Sequence, residues 1–279
     1  MFEIVFLFSI ATIWIIFATI QDLKTREIAN WLNFSLIIFA LGFRFFYSLF
    51  SSQGFGFFYQ GLIGLGIFFV LGNALYYGKM FAGGDAKLLI ALGAVLPIAD
   101  GFYNNLEGFF LFMFIFLIIG AFYSMVVSAS LCIKNYSRFK KEFSRQFKLN
   151  KKKIFLGILI SITLILLSYI NYLFIFLAVL SFILPYLYLY AKAIDETAMI
   201  KILDSKKLRE GDWLYQDVKV KGKTIRANWE GLKKEEISLL RKRYRKVKIR
   251  EGVAFTPVFL ISFLIFFYLW SKGLRYPFW

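Results

Sequence analysis

The sequence predicts an all-α polytopic membrane protein of about eight transmembrane helices, seven being the alternative count, with a small cytoplasmic α+β insertion before the last helix. Three observations lead there. Apolar residues make up 59% of the 279 positions and include 36 Phe, while charged residues reach 18%; a soluble globule of this size carries more charge and far less Phe. Apolar runs of spanning length recur along the chain, which makes lipid the solvent of most of it. Basic residues crowd into alternate connections between those runs.

The runs fall at about 2–20, 31–50, 57–78, 85–99, 106–133, 154–190 and 254–270, most of them close to the ~20 residues that a spanning helix requires. The 37 residues of 154–190 would build a ~55 Å helix at ~1.5 Å per residue, far beyond a ~30 Å hydrocarbon core. A hairpin of two helices, turning near Ser168-Tyr169-Ile170-Asn171-Tyr172, is expected instead. The run 85–99 departs the other way. Its 15 residues, between Gly84 and Pro97, reach ~22 Å, so this helix begins or ends inside the membrane boundary.

Charge placement sets the orientation. Lys and Arg number two in 21–30, two in 78–87, nine in 134–153 and eighteen in 191–252, with none in 51–56 or 100–105. The positive-inside rule puts those four basic segments in the cytoplasm. An even number of spans between 153 and 191 is needed to keep the last two on one side, which gives eight spans with both termini outside. A single helix over 154–190 would give seven.

The expected organisation is therefore a transmembrane core over 1–133, a basic cytoplasmic loop over 134–153, a transmembrane hairpin over 154–190, a basic cytoplasmic α+β module over 191–252, and a last helix with its tail over 253–279. The N-terminal run has neither a basic n-region nor a small-residue cleavage site and is expected to remain as a span. In the module, Asp212–Val220 alternates partly like a strand, Lys221-Gly222 supplies a turn and Lys223–Ala227 returns, which predicts a hairpin. The segment Lys233–Tyr244 predicts a helix with Ile237, Leu240 and Tyr244 on one side. About sixty residues bury little core alone, so the module is expected to lean on the membrane domain or its headgroups. The net charge of +17 implies anionic membrane lipids as partners; nothing supports binding to nucleic acid.

Composition also removes chemistries. Without His, histidine triads, His metal sites and His pH switches are excluded. One Cys, Cys132, makes neither an intrachain disulfide nor a Cys-x-x-Cys metal site. Carboxylates, Lys, Ser, Thr or Tyr must carry any catalysis. Of the acids near the spans, Glu3, Asp100 and Glu107 fall by outer connections as solvated surface groups, and Glu142 lies in a basic run. Asp22 and Asp85 remain, each at the cytoplasmic end of a helix.

Gly83-Gly84 precede Asp85 directly, and backbone without side chains admits the close approach of another backbone, such as an extended peptide. Two carboxylates held together cannot both ionise easily and share a proton. One then activates water while the other donates to a carbonyl oxygen. That chemistry requires no His, Cys, metal or cofactor. The plainer alternatives are a loop acid at Asp22 paired with Lys24 or Arg26, and a helix N-cap at Asp85.

The motifs carry a resemblance. Asp22-Leu23-Lys24-Thr25-Arg26-Glu27-Ile28-Ala29-Asn30 resembles the first aspartate motif of the type IV prepilin peptidases, with Asp, Arg, Ile and Asn at that family's offsets. Phe81-Ala82-Gly83-Gly84-Asp85-Ala86-Lys87-Leu88-Leu89 resembles the second, a Gly-x-Gly-Asp followed by Lys. Ala82 stands where the first glycine would be, and Ala29 where many bacterial members have Pro. The cysteine-rich loop of bacterial members is absent, so the chain is more similar to the archaeal preflagellin (prearchaellin) and prepilin peptidases. The resemblance implies a membrane aspartic endopeptidase with Asp22 and Asp85 as its dyad, supported by Arg26, Asn30, Gly83, Gly84 and Lys87, without cofactor or metal. Its implied partners are prepilins or preflagellins (archaellins), whose short basic leader it would remove at the cytoplasmic face of the cell membrane. A small transporter or a non-catalytic assembly factor is the alternative; a transporter is expected to place polar groups near the midplane of several spans.

Overall fold

Helices satisfy their own backbone groups, which is the condition for crossing lipid, and the apolar runs adopt them. The structure, a computed structural model, describes residues 2–51, 54–99, 101–220 and 223–273; Asp100 and the Lys221-Gly222 turn lie outside them. From the amino terminus come α1 (Phe2–Thr25), α2 (Asn30–Phe50), α3 (Gly56–Tyr77), the short α4 (Gly83–Gly93) and α5 (Phe102–Lys134). The segment 134–153 carries α6 (Tyr136–Leu149), followed by α7 (Lys151–Leu167) and α8 (Leu173–Ala198). The extramembranous part holds β1 (Ile200–Asp204), β2 (Trp213–Leu214), β3 (Val218–Val220), β4 (Lys223–Ile225), α9 (Lys234–Arg243) and β5 (Lys246–Arg250). Helix α10 (Thr256–Ser271) comes last.

Among the described residues, five helices are long and apolar enough to cross a membrane: α1, α2, α3, α5 and α8. Helices α4, α7 and α10 are shorter, with 11, 17 and 16 residues. The chain is thus a multi-pass helical membrane protein with a small α+β insertion before its last helix. The run 154–190 breaks into α7 and α8 around Ser168–Tyr172, as its excess length demands.

Two compact units divide the chain, one built from residues up to Ser124 together with those from Val253 onward, the other from Met125–Gly252. The first unit buries an aromatic core. Phe8 of α1 stacks on Phe263 of α10 with ring centres 4.7 Å apart, and Phe116 of α5 meets Phe259 at 4.7 Å. Glu3, expected as a solvated acid, is instead buried at 9% exposure, where Tyr47 donates to its carboxylate at 3.2 Å.

In the second unit, α7 and α8 approach closely because Gly157 leaves room for the Pro185 ring, and the Ser161 hydroxyl donates to the Ala178 carbonyl at 2.9 Å. The α+β part forms a three-stranded antiparallel sheet in the order β1-β5-β2, beside the β3-β4 hairpin. Nine apolar side chains, among them Leu214, Ile225, Leu240 and Ile249, close a core of its own, and Arg250 of β5 pairs with Asp195 and Glu196 of α8. The expected hairpin over 212–227 is realised in part. Val218–Val220 pairs with Lys223–Ile225, but Trp213–Leu214 pairs with Arg250 and Ile249 of β5. The Asp217 carboxylate accepts from the Ala227 amide at 2.8 Å and bends the chain between those two pairings. Helix α9 buries Ile237 and Leu240, while Tyr244 lies past its end, exposed, with its hydroxyl on the Lys219 carbonyl.

Candidate active site

Asp22 sits in the last turn of α1 and is 6% exposed. The helix stops there because Arg26 takes a left-handed conformation at φ 58°, and its amide closes on the Asp22 carbonyl at 2.8 Å, an αL termination. The connection then folds back under Gln21, whose Oε1 accepts from the Ala29 amide at 3.1 Å. Ala29 has φ −64°, a value proline also takes, but proline has no amide hydrogen to give Gln21. The departure from the bacterial pattern at this position thus supports a bond.

The fold-back delivers Ile28 onto the second motif. A side chain added at Gly84 would meet Ile28 at 3.3 Å, so glycine lets the two motifs touch. Asp85 is the third residue of α4, half-buried, and not the helix N-cap; the cap is Ala82, in an extended conformation at φ −70°. Alanine in place of the motif's first glycine therefore carries no backbone strain. Lys87 extends to the first motif and donates to Asn30 Oδ1 at 2.7 Å. Asp22 and Asp85 lie close enough for the charge of one to be felt by the other. Two contacts join the motifs directly, Lys87 to Asn30 and Gly84 to Ile28, and so bring together the segments that carry Asp22 and Asp85. Gly83 stands beside Tyr76 at ordinary contact distance. Arg26 is exposed and acts through its backbone, ending α1.

A third segment, which the sequence did not single out, reaches Asp22. Thr256, the first residue of α10 and 0% exposed, gives both its amide hydrogen and its hydroxyl hydrogen to Asp22 Oδ2, at 3.2 and 2.9 Å. Its neighbour Phe255 packs on Phe81 of the second motif with ring centres 5.9 Å apart. Tyr123 of α5 donates to the Ala254 carbonyl at 2.9 Å and lies within electrostatic reach of Asp22 and Arg26. The available signal was a Thr-Pro pair opening an apolar run.

Chemically, the site offers two carboxylates at helix ends, glycine backbone beside one of them, and a cation tied across both motifs. Among the described residues, no group of three or more His, Cys, Asp and Glu gathers to hold a metal.

Residues 9–125 match the model of the type IV leader peptidase family. Over 90 residues the chain is 34% identical to a preflagellin peptidase of Methanocaldococcus jannaschii and, over 90 residues, 31% identical to one of Methanococcus maripaludis. Each match covers 32% of this chain and 38% of the relative. The chain thus spans well under half the length of the curated relatives it matches. No solved structure matches it significantly.

Proposed function

We propose that the chain, whose residues 9–125 match the model of the type IV leader peptidase family, is an aspartic endopeptidase of that kind that removes the basic leader of prepilins or preflagellins at the cytoplasmic membrane face. The single observation that carries this reading is the joining of the two motifs, Lys87 on Asn30 and Ile28 on Gly84. Substrate of this kind has an apolar helix lodged in lipid and a scissile bond just outside it. An acid at the start of the short α4 meets such a bond at the membrane boundary.

The chemistry follows from two carboxyl groups sharing one proton. The ionised one takes a proton from water as the water oxygen attacks the scissile carbonyl carbon, and the other gives its proton to the carbonyl oxygen. The tetrahedral diol collapses with cleavage of the C–N bond, and a proton passes to the leaving nitrogen. Basic α6 and the 191–252 module fit a role against anionic lipid, at ~1 kcal/mol per basic residue near the surface. A transporter is disfavoured because the paired acids stand at helix ends and not at the middle of several spans.

The test is cleavage of a co-expressed preflagellin by the full chain. Asp22→Asn and Asp85→Asn should each lower cleavage by about 10²–10⁴-fold or more, with membrane insertion and protein level unchanged. Asp→Glu at either site should cost about 10²-fold, since one methylene displaces the carboxyl by ~1 Å. Cleavage at the unaltered rate by either Asn variant would sink the assignment.

A further inference from the structure

We propose that Thr256 is a positioning residue for Asp22, and that the segment Ala254-Phe255-Thr256 is a third part of the peptidase site, outside the matched region 9–125. The proposal rests on the reading of Asp22 and Asp85 as a catalytic dyad.

Three contacts place this segment against both motifs. Thr256 donates twice to a single carboxylate oxygen, Asp22 Oδ2, at 2.9 Å from the hydroxyl and 3.2 Å from the amide. Phe255 lies on Phe81 at 5.9 Å, and Phe81 opens the chain into Gly83-Gly84-Asp85. The segment is itself fixed from outside, since Tyr123 holds the Ala254 carbonyl at 2.9 Å.

An aspartate carboxyl turns about its last torsion with little resistance, because that torsion is broad. Two donors on one oxygen remove the freedom. They hold Oδ2 toward α10 and leave Oδ1 as the oxygen that faces chemistry. Donors from a helix amino terminus also favour a negatively charged group. The hydroxyl is the replaceable half of the clamp, since the amide persists whatever residue occupies position 256. Threonine at the start of an apolar helix is otherwise a poor choice for a site with 0% exposure, where an unbonded hydroxyl is costly.

A purely structural role is the competing account: Asp22 would serve as an acceptor for the first turn of α10 and nothing more. The two accounts differ in what the hydroxyl changes. Thr256→Val keeps the shape and removes the hydroxyl; Thr256→Ser keeps the hydroxyl and removes the methyl. With a preflagellin that the unaltered chain cleaves, in membranes and then in detergent, kcat and KM are measured for both variants beside Asp22→Asn. The expected result is a fall in kcat of about 10- to 100-fold for Thr256→Val with KM within about twofold, and recovery to within about threefold of the unaltered rate in Thr256→Ser.

An unaltered kcat in Thr256→Val, with Asp22→Asn inactive, overturns the positioning role while the dyad stands. Equal losses in the Val and Ser variants overturn it as well, because packing of the methyl would then be what matters. So does a change confined to KM, or a kcat loss in Thr256→Val that tracks loss of folded protein. Full activity in Asp22→Asn overturns the dyad reading itself, and with it this proposal.

Discussion

At its carboxyl end, α4 runs into Ala94, Val95 and Pro97, whose carbonyls all accept from the guanidinium of Arg44, with bonds of 2.9 Å to Ala94 and 3.1 Å to Val95. The same group donates to the Phe57 carbonyl at 2.9 Å and lies over the Phe57 ring at 4.3 Å. At its amino end, no side chain caps the helix; Gly83, Gly84 and the half-buried Asp85 stand there instead. One helix therefore has an end that is fastened and an end that is left accessible. A charge inside a membrane protein is tolerated where backbone carbonyls surround it, and Arg44, at 0% exposure, meets that condition at the fastened end. The acid is thus placed in part from the opposite end of its own helix.

The largest effect should come from cutting the fastening. Arg44→Leu leaves four carbonyls without this donor and should cost about 3–5 kcal/mol. Thermal unfolding in detergent should show a large fall, and cleavage should fall with the amount of folded protein. A variant that melts as the unaltered chain does would remove the asymmetry between the two ends.

Glycines sharpen the contrast, because they do different things at the two ends. A side chain at Gly93 would come within 2.6 Å of Phe68 Cβ and 2.7 Å of the Gly64 carbonyl; α3 and α4 touch there through bare backbone. A side chain at Gly83 would meet Tyr76 at 3.6 Å, an ordinary contact. Gly93→Ala should thus destabilise by about 1–3 kcal/mol. Gly83→Ala should leave stability within about 0.5 kcal/mol and still lower cleavage about tenfold or more, by keeping substrate backbone from Asp85. The opposite pattern, a melting loss at Gly83 with cleavage per folded molecule intact, would make that glycine a packing residue like Gly93.

What was legible in the sequence follows the same division. The acids of the open end stood out because charge is rare in lipid, and the hairpin of α7 and α8 followed from helix rise alone. The short helix was visible between Gly84 and Pro97, although it ends sooner, at Gly93, where the carbonyls that follow, of Ala94 and Val95, go to Arg44. Arg44 itself carried a signal that went unread, a lone cation inside an apolar run, but its partners depend on where α3 and α4 meet. Thr256 was hidden more deeply. Its bond to Asp22 spans 234 residues, and no local pattern encodes a contact of that separation. The same holds for β2, two residues long, whose pairing with β5 is set by the core around Leu214 and Ile249.

The smallest expected effect concerns the link that ties the open end across to the first motif. Lys87 and Asn30 are both exposed, and their bond of 2.7 Å competes with water. Lys87→Met keeps the apolar stem and removes the donor, which should lower stability by about 1 kcal/mol or less. For a chain of this size that is a shift of about 2–4 °C at most in the melting temperature. Asn30→Ala should cost a similar amount. If the bond is what matters, the double variant should lose less than the sum of the two single losses, since each single change already removes it. Cleavage should show the same non-additivity, because the bond fixes α4 against the connection that carries Ile28. Strictly additive losses in cleavage would mean that Lys87 and Asn30 act separately, and the open end of α4 would then rest on Ile28 and on the packing of Phe81 against Phe116, Phe255 and Phe259.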